Sequence, residues 1–215
     1  MKQTQKAKIV HLGLIGLGTV GTGVARTLKT HAEDIRQKTG TRLVLKKVCV
    51  KHLEKKRKVA LPKKLFTDRV NDILDDPQID IVIEVMGGIH PAKEIIQKAY
   101  AKGKHVVTAN KALLAEEGSF VFDQARRFGG KLGYEASVCG GIPIIKSLKE
   151  GLVSNRVDRF LGIVNGTCNY ILTEMSRGPK SFKQALAEAQ KLGFAEADQT
   201  LDVEGVCVVG LGSSI

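Results

Sequence analysis

The chain has 215 residues, 43% hydrophobic and 26% charged, enough for one average domain plus part of another and too apolar for a disordered chain. Lys and Arg number 34 against 22 Asp and Glu, a formal net charge of +12; aromatics are only 5%, with no Trp, so platforms for stacking bases are scarce. No apolar run is long enough to span a bilayer, and the polar, basic stretch from Met1 to Lys8 has no apolar segment behind it, so neither a membrane span nor a signal peptide is expected.

Strand and helix patterns alternate, which predicts a parallel sheet covered by helices on both faces. The first strand is expected from Lys8 to Ile15. A long helix follows, from about Val20 to Lys38, with Gly40 ending it. Leu43 to Val50 reads as the second strand. A basic stretch runs from Lys46 to Lys64, with nine Lys or Arg and one acid, Glu54; after the strand it is expected to form a loop. Thr67 is placed to cap a short helix through Leu74, stopped by Asp75-Asp76-Pro77. Ile79 to Val85 is a buried third strand. Pro91 opens a helix to Lys102, with Gly103 closing it. His105 to Ala109 is the fourth strand, Ser119 to Phe128 a helix, and Lys131 to Ala136 the fifth strand.

Character changes near residue 140. A Gly-Gly-Ile-Pro turn precedes a helix through Glu150, then comes a strand from Val157 to Val164 and helices near Cys168 to Arg177 and Ser181 to Leu192. A boundary is therefore expected there, with one domain over 1–140 and part of a second over 141–215. The four cysteines (Cys49, Cys139, Cys168, Cys207) form no CxxC pair, so reduced thiols in a cytoplasmic protein are the expectation.

The first strand runs directly into Gly16-Leu17-Gly18-Thr19-Val20-Gly21, a GxGxxG pattern that then opens a helix. That context predicts a Rossmann-type dinucleotide-binding domain. Gly16 permits the tight turn, Gly18 lets backbone approach a pyrophosphate, and Gly21 lets the helix pack on the strand. Thr19 and Val20 then lie where a helix N-terminus offers amides to phosphates. The tip of the second strand selects between NAD and NADP: an acid there binds the ribose 2′-hydroxyl, a base suits the 2′-phosphate. Here it reads Val50-Lys51-His52, which predicts NADP(H) through Lys51; Glu54 is the acid that a shifted loop would bring to the ribose instead, favouring NAD(H).

Ligands of an open parallel sheet bind beyond the carboxyl ends of its strands. Small or polar residues cluster there: Met86-Gly87-Gly88, Asn110-Lys111, Ser137 to Pro143, and Asn165-Gly166-Thr167. Six segments in order, IGLGTVGTGV, EVMGG with HPA, TANKALLA, YEASVCGGIPI, GIVNGTCNYIL and KLGFAEADQTLDVEG, closely resemble homoserine dehydrogenase. The resemblance runs to Gly205. It implies an oxidoreductase that interconverts L-aspartate 4-semialdehyde and L-homoserine on the route to threonine, methionine and isoleucine. The implied fold is α/β, a Rossmann-type doubly wound parallel sheet followed by an incomplete α+β substrate and dimerisation domain.

By the same resemblance, Met86, Gly87, Gly88 and Lys111 lie against the cofactor, and Lys111 is also catalytic. A fixed ammonium polarises the aldehyde oxygen as hydride arrives. Gly166, Thr167, Glu196 and Asp202 are implied to bind substrate, Glu196 by accepting from the substrate's amino group. Glu135, Val138, Gly140 and Ile142 match a monovalent-cation site, usually sodium, for which one carboxylate and turn carbonyls supply hard oxygens. Cys139 in that turn reads as a small filler rather than a nucleophile. A homodimer is the family's expected assembly.

After Gly205 the match stops. Cys207 and Leu211 stand where the family has a supporting Asp and a proton-donating Lys. The uncharged tail from Val206 to Ile215 is a poor helix former, and a truncated product, a shifted reading frame at the end or a fragment is expected, with weak or no turnover by this chain alone. Two other readings fit parts of the sequence. One is a non-catalytic NADP-binding fragment. The other is a nucleic-acid binder using the Lys46 to Lys64 run, which lacks any accompanying recognition motif.

Overall fold

The computed structural model describes residues 8–159, 161 and 165–192, in two compact units that divide between Ile142 and Pro143. The first unit is built on six strands: β1 (Lys8–Ile15), β2 (Thr41–Cys49), β3 (Phe66–Thr67), β4 (Ile81–Glu84), β5 (His105–Thr108) and β6 (Leu132–Gly133). All pairings are parallel, in the order β3-β2-β1-β4-β5-β6. The chain reverses its direction of travel across the sheet at β1. Its neighbour β4 therefore leaves a crevice at their carboxyl ends.

Helices cover both faces because alternate strand residues are apolar on both. Leu12, Leu14, Val48 and Ile83 pack with Leu17 and Ala25 on one side. Ile15, Val82 and Val106 pack with Ile96, Tyr100, Leu113 and Val121 on the other. Between strands β1 and β2 the expected single helix is two: α1 (Thr19–Thr30) and α2 (Ala32–Thr39). His31 breaks them with φ −110° and ψ 19°. Each piece has its own end signals. Glu33 and Asp34 complement the first turn of α2, and Gly40 closes it in the left-handed region at φ 66°.

Thr67 is not a helix cap. It ends β3, and its hydroxyl donates to Asp72 (2.6 Å) and accepts from the Arg69 amide (3.1 Å), shaping the turn into α3 (Asn71–Leu74). Helix α4 (Ala92–Ala101) starts after Pro91, and Gly103 takes φ 72° beyond it. Helix α5 (Lys111–Arg127) begins eight residues before the expected Ser119. The Asn110 carboxamide caps it, accepting from the Leu113 amide at 3.1 Å. A kink at Glu117 (φ −125°, ψ 19°) falls just ahead of Gly118-Ser119, which is why the sequence reads as a helix start there. β6 is short because the chain after it turns into a 3-10 helix, Glu135–Ser137.

Two buried polar side chains in this unit behave differently. Lys104, 3% exposed, donates to the carbonyls of Asp76 (2.6 Å) and Ile79 (2.9 Å), pinning the turn before β4; burial pushes its pKa down. Tyr100 is 1% exposed, and its hydroxyl has no hydrogen-bond partner among the described residues, so burial pushes its pKa up. A buried hydroxyl without a partner costs free energy. Tyr100→Phe is therefore expected to leave stability unchanged or raise it by up to about 1 kcal/mol in urea unfolding; a loss of that size would show that the hydroxyl is bonded.

The second unit's described residues contain helices only. Ile144–Lys146 (α6) leads into a π-helical turn, Ser147–Gly151, where one helix through Glu150 is expected. Residues 157–159 and 161 have no regular structure, and the rest of the strand expected from Val157 to Val164 lies outside the described residues. Helices α7 (Gly166–Arg177) and α8 (Phe182–Leu192) pack through Ile171, Ala185 and Ala189. Lys180 joins them, bonding Glu174 and Glu188, each at 2.6 Å. Among the described residues, no helix is long and apolar enough to cross a membrane.

Candidate functional site

The glycine turn sits at the sheet's reversal point. Gly16 has φ +98°, a left-handed conformation that disfavours any side chain, and a Cβ on it would meet the Val85 carbonyl oxygen at 2.7 Å. The turn is thus pressed against the end of β4. A Cβ on Gly21 would run into the Gly16 carbonyl, so helix α1 can pass the turn only with glycine there. Gly18 is the opposite case. Nothing lies within 4 Å of where its Cβ would stand, and it precedes the first turn of α1 with no side-chain cap. Thr19 and Val20 are exposed beside it, and the first helical bond runs from the Thr22 amide to the Gly18 carbonyl. Amides ahead of that bond point out of the helix end toward open space. Two glycines are required by protein packing, and the third leaves room for something else.

At the tip of β2, Val50 is buried, while Lys51, His52 and Glu54 are exposed. The basic run is not one loop. Lys46 lies within β2 and pairs with Asp76 (2.7 Å) and Gln78 (2.7 Å). The Arg57 guanidinium folds back and donates to the His52 carbonyl, and its Nε is buried without a partner among the described residues. Arg57 therefore ties down the turn that follows Lys51 through the His52 carbonyl, a role that single-residue reading of the strand tip overlooks.

The loop after β4 carries Met86, Gly87 and Gly88, with Met86 40% exposed and both glycines at positive φ (76° and 74°). Its neighbours include Asn110 and two polar residues that the sequence reading did not single out, Glu84 and Thr108. Glu84 is 0% exposed and ends β4. One carboxylate oxygen accepts from the Met86 amide (2.8 Å), the other from the Thr108 hydroxyl (2.7 Å). That hydroxyl accepts in turn from the Asn110 amide (3.0 Å), and the Asn110 carboxamide donates to the Gly88 carbonyl (2.6 Å). A charged residue inside the apolar run IDIVIEV was the available signal.

Lys111 follows as the first residue of α5 and is exposed. A cation at a helix N-terminus opposes the helix dipole, so helix stability does not account for it. Nearby, Glu135 belongs to the 3-10 helix, whose Ser137 hydroxyl donates to the Thr108 carbonyl (3.0 Å). The chain then turns through Cys139 (φ 53°) and Gly140 (φ 58°). Cys139 is the one non-glycine residue at positive φ among the described residues. Val138 donates to the Glu135 carbonyl and Ile142 to the Cys139 carbonyl, both at 3.1 Å.

In the second unit, Gly166 and Thr167 form the first turn of α7, capped by the Asn165 side chain accepting from the Cys168 amide (2.9 Å). Glu196, Asp202, Cys207 and Leu211 lie outside the described residues.

An all-parallel sheet in this strand order, with a glycine turn at its reversal point, defines a Rossmann-type nucleotide-binding domain. Residues 16–135 match the family model for the homoserine dehydrogenase NAD binding domain, and residues 143–209 match the homoserine dehydrogenase model. The chain belongs to the homoserine dehydrogenase family. It is 49% identical over 199 residues to a homoserine dehydrogenase of Bacillus subtilis, covering 93% of this chain and 46% of that protein. The crystal structure of a homoserine dehydrogenase from Thiobacillus denitrificans superposes with a TM-score of 0.86 at 46% identity, over 94% of this chain and 47% of that one. A hyperthermophilic archaeal homoserine dehydrogenase in complex with NADPH gives 0.75 at 26% identity, over 94% and 67%. The chain spans about half the length of the Bacillus relative.

Proposed function

We propose that this chain binds NADP(H) as the cofactor-binding part, with the start of the substrate domain, of an enzyme interconverting L-aspartate 4-semialdehyde and L-homoserine in threonine, methionine and isoleucine biosynthesis. The observation that carries this reading is the open face of Gly18 beside two sterically required glycines. The residues present fit a pyrophosphate: outward amides, no side chain in the way, and the positive end of α1. NADPH in the archaeal relative's complex supports the same cofactor class.

When bound, the nicotinamide carries the hydride. Lys51 supplies the charge for a 2′-phosphate. Met86, Gly87 and Gly88 would line the nicotinamide half of the cofactor. Lys111 holds the substrate's carbonyl oxygen and stabilises the alkoxide. Gly166, Thr167, Glu196 and Asp202 bind the amino-acid end. A sodium ion fits the donor chemistry of the Glu135 carboxylate with the carbonyls of Val138, Gly140 and Ile142, on a chain bent by two left-handed residues. The domains of this reading are 1–140 for the cofactor and 141–215 for part of the substrate-binding and dimer-forming region. A cytoplasmic homodimer belongs to it as well.

Because Cys207 and Leu211 replace an acid and a lysine of the family pattern, turnover by this chain alone is expected to be weak or absent. A positioned general acid is commonly worth ~10²–10⁴ in rate. Cofactor binding without turnover would then leave a non-catalytic NADP-binding protein. Titration calorimetry with NADPH and NADH, alongside a homoserine-dependent NADP reduction assay, tests both parts. Heat of association favouring NADPH is the expected result. No heat with either nucleotide, in folded protein, would overturn the binding reading, and a normal rate of homoserine oxidation would overturn the expectation of weak turnover.

A further inference from the structure

Glu84 is a buried acid that the proposed reaction does not use directly, yet it organises everything beside it. Glu84 and Thr108 are register partners across β4 and β5. The carboxylate sits on that cross-strand pair with a donor on each oxygen, the Met86 amide and the Thr108 hydroxyl. The hydroxyl donates to the carboxylate and also accepts from the Asn110 amide, so it links the two. Asn110 then works at both ends of its carboxamide, donating to the Gly88 carbonyl and capping α5 through the Leu113 amide. Loop 86–88 is thus tied at both ends. The segment that ties it is the one that starts α5 and presents Lys111.

We propose that Glu84, acting through Thr108 and Asn110, is a positioning residue that sets loop 86–88 and Lys111 in a single geometry for the nicotinamide half of the cofactor; this rests on the dehydrogenase reading above. The carboxylate accepts from both of its partners, and its charge strengthens both bonds. An amide of the same shape would keep its oxygen for the Met86 amide and turn its NH₂ onto the last lone pair of the Thr108 hydroxyl, leaving that buried O–H without an acceptor. Fully satisfied buried networks of this kind fix one arrangement, and breaking one member leaves the others unpaired.

The dinucleotide's two ends rest on different halves of the sheet: the adenosine end by β1 and β2, the nicotinamide end by β4 and β5. Positioning and general destabilisation therefore separate in binding. The full-length chain and its Glu84→Gln, Thr108→Val and Thr108→Ser variants would be titrated with NADPH and, separately, with adenosine 2′,5′-bisphosphate. Glu84→Gln and Thr108→Val should weaken NADPH about tenfold and leave the bisphosphate within twofold. Thr108→Ser, which keeps the hydroxyl, should restore NADPH binding to within about threefold of the parent. Equal losses for both ligands, or no loss for NADPH in either variant, would overturn the positioning role. A folded parent chain that binds neither NADPH nor NADH would overturn it together with the cofactor reading; a parent that binds and variants that bind equally well would overturn this inference alone.

Discussion

Replacing Gly16 and Gly18 one at a time by alanine should separate folding from binding within one six-residue turn. Gly16→Ala forces a methyl group onto a residue with φ +98° and against the Val85 carbonyl, with the Met86 Cα 3.1 Å from it. Neither neighbour is a flexible side-chain end, so the backbone of β1 or β4 must shift. Strain at such a residue and a clash with main chain together should cost about 2–4 kcal/mol of stability. The turn that survives would be displaced, and NADPH affinity should fall with it. Gly18→Ala meets nothing within 4 Å, at an ordinary φ of −77°, so its unfolding midpoint should stay within about 0.5 kcal/mol of the parent. Its NADPH affinity should nevertheless drop roughly tenfold or more, about 1.4 kcal/mol, because the methyl occupies the approach of the pyrophosphate. Urea unfolding and calorimetry on both variants read the two effects. A Gly18→Ala chain binding NADPH as tightly as the parent would mean that the open face at Gly18 is not where phosphate sits.

On the proposed cofactor reading, Lys51→Glu should shift affinity from NADPH toward NADH. Lys51 is exposed one residue past buried Val50, and the Arg57 guanidinium is bonded to the carbonyl of the next residue, His52. Two unit charges 4 Å apart interact by about 1 kcal/mol in water and more near a protein surface. Turning a cation into an anion against a doubly charged 2′-phosphate should therefore cost about 2–3 kcal/mol in NADPH binding, with the new carboxylate free to accept from a ribose 2′-hydroxyl of NADH. The NADPH loss should shrink as salt rises, since the charges are exposed. Affinities for both nucleotides at two ionic strengths check this. Unchanged NADPH binding at low salt would remove Lys51 from the site and turn attention to Arg57.

Five of the six strands were legible in the sequence as short runs rich in apolar residues; β3, only Phe66–Thr67, was not, because two residues carry no pattern and Thr67 read as a helix cap. β1 and its glycine turn match the expected bounds residue for residue. Helix ends were less so. The break at His31 and the start of α5 at Lys111 depend on which local groups capture unpaired amides: in α5 the Asn110 side chain takes the Leu113 amide, and Glu117 then kinks the helix where Gly118-Ser119 suggests a start. Both outcomes are compatible with the same hydrophobic spacing, so periodicity does not choose between them. Arg57 was hidden in a run of similar charges, and its bond to the His52 carbonyl and its buried Nε distinguish it from the exposed Lys55 and Lys58.

By itself the sequence determined that this chain makes a parallel sheet headed by a phosphate-sized turn, because apolar period and glycine placement are local properties that the backbone must obey. The tertiary structure alone decided that Glu84, Thr108 and Asn110 form one connected group under the Met86 to Gly88 loop. Glu84 and Thr108 are 24 residues apart and become partners only when β4 pairs with β5. Burying them then requires every donor and acceptor to find a mate, and that demand is met by the assembled sheet rather than by any segment of the chain.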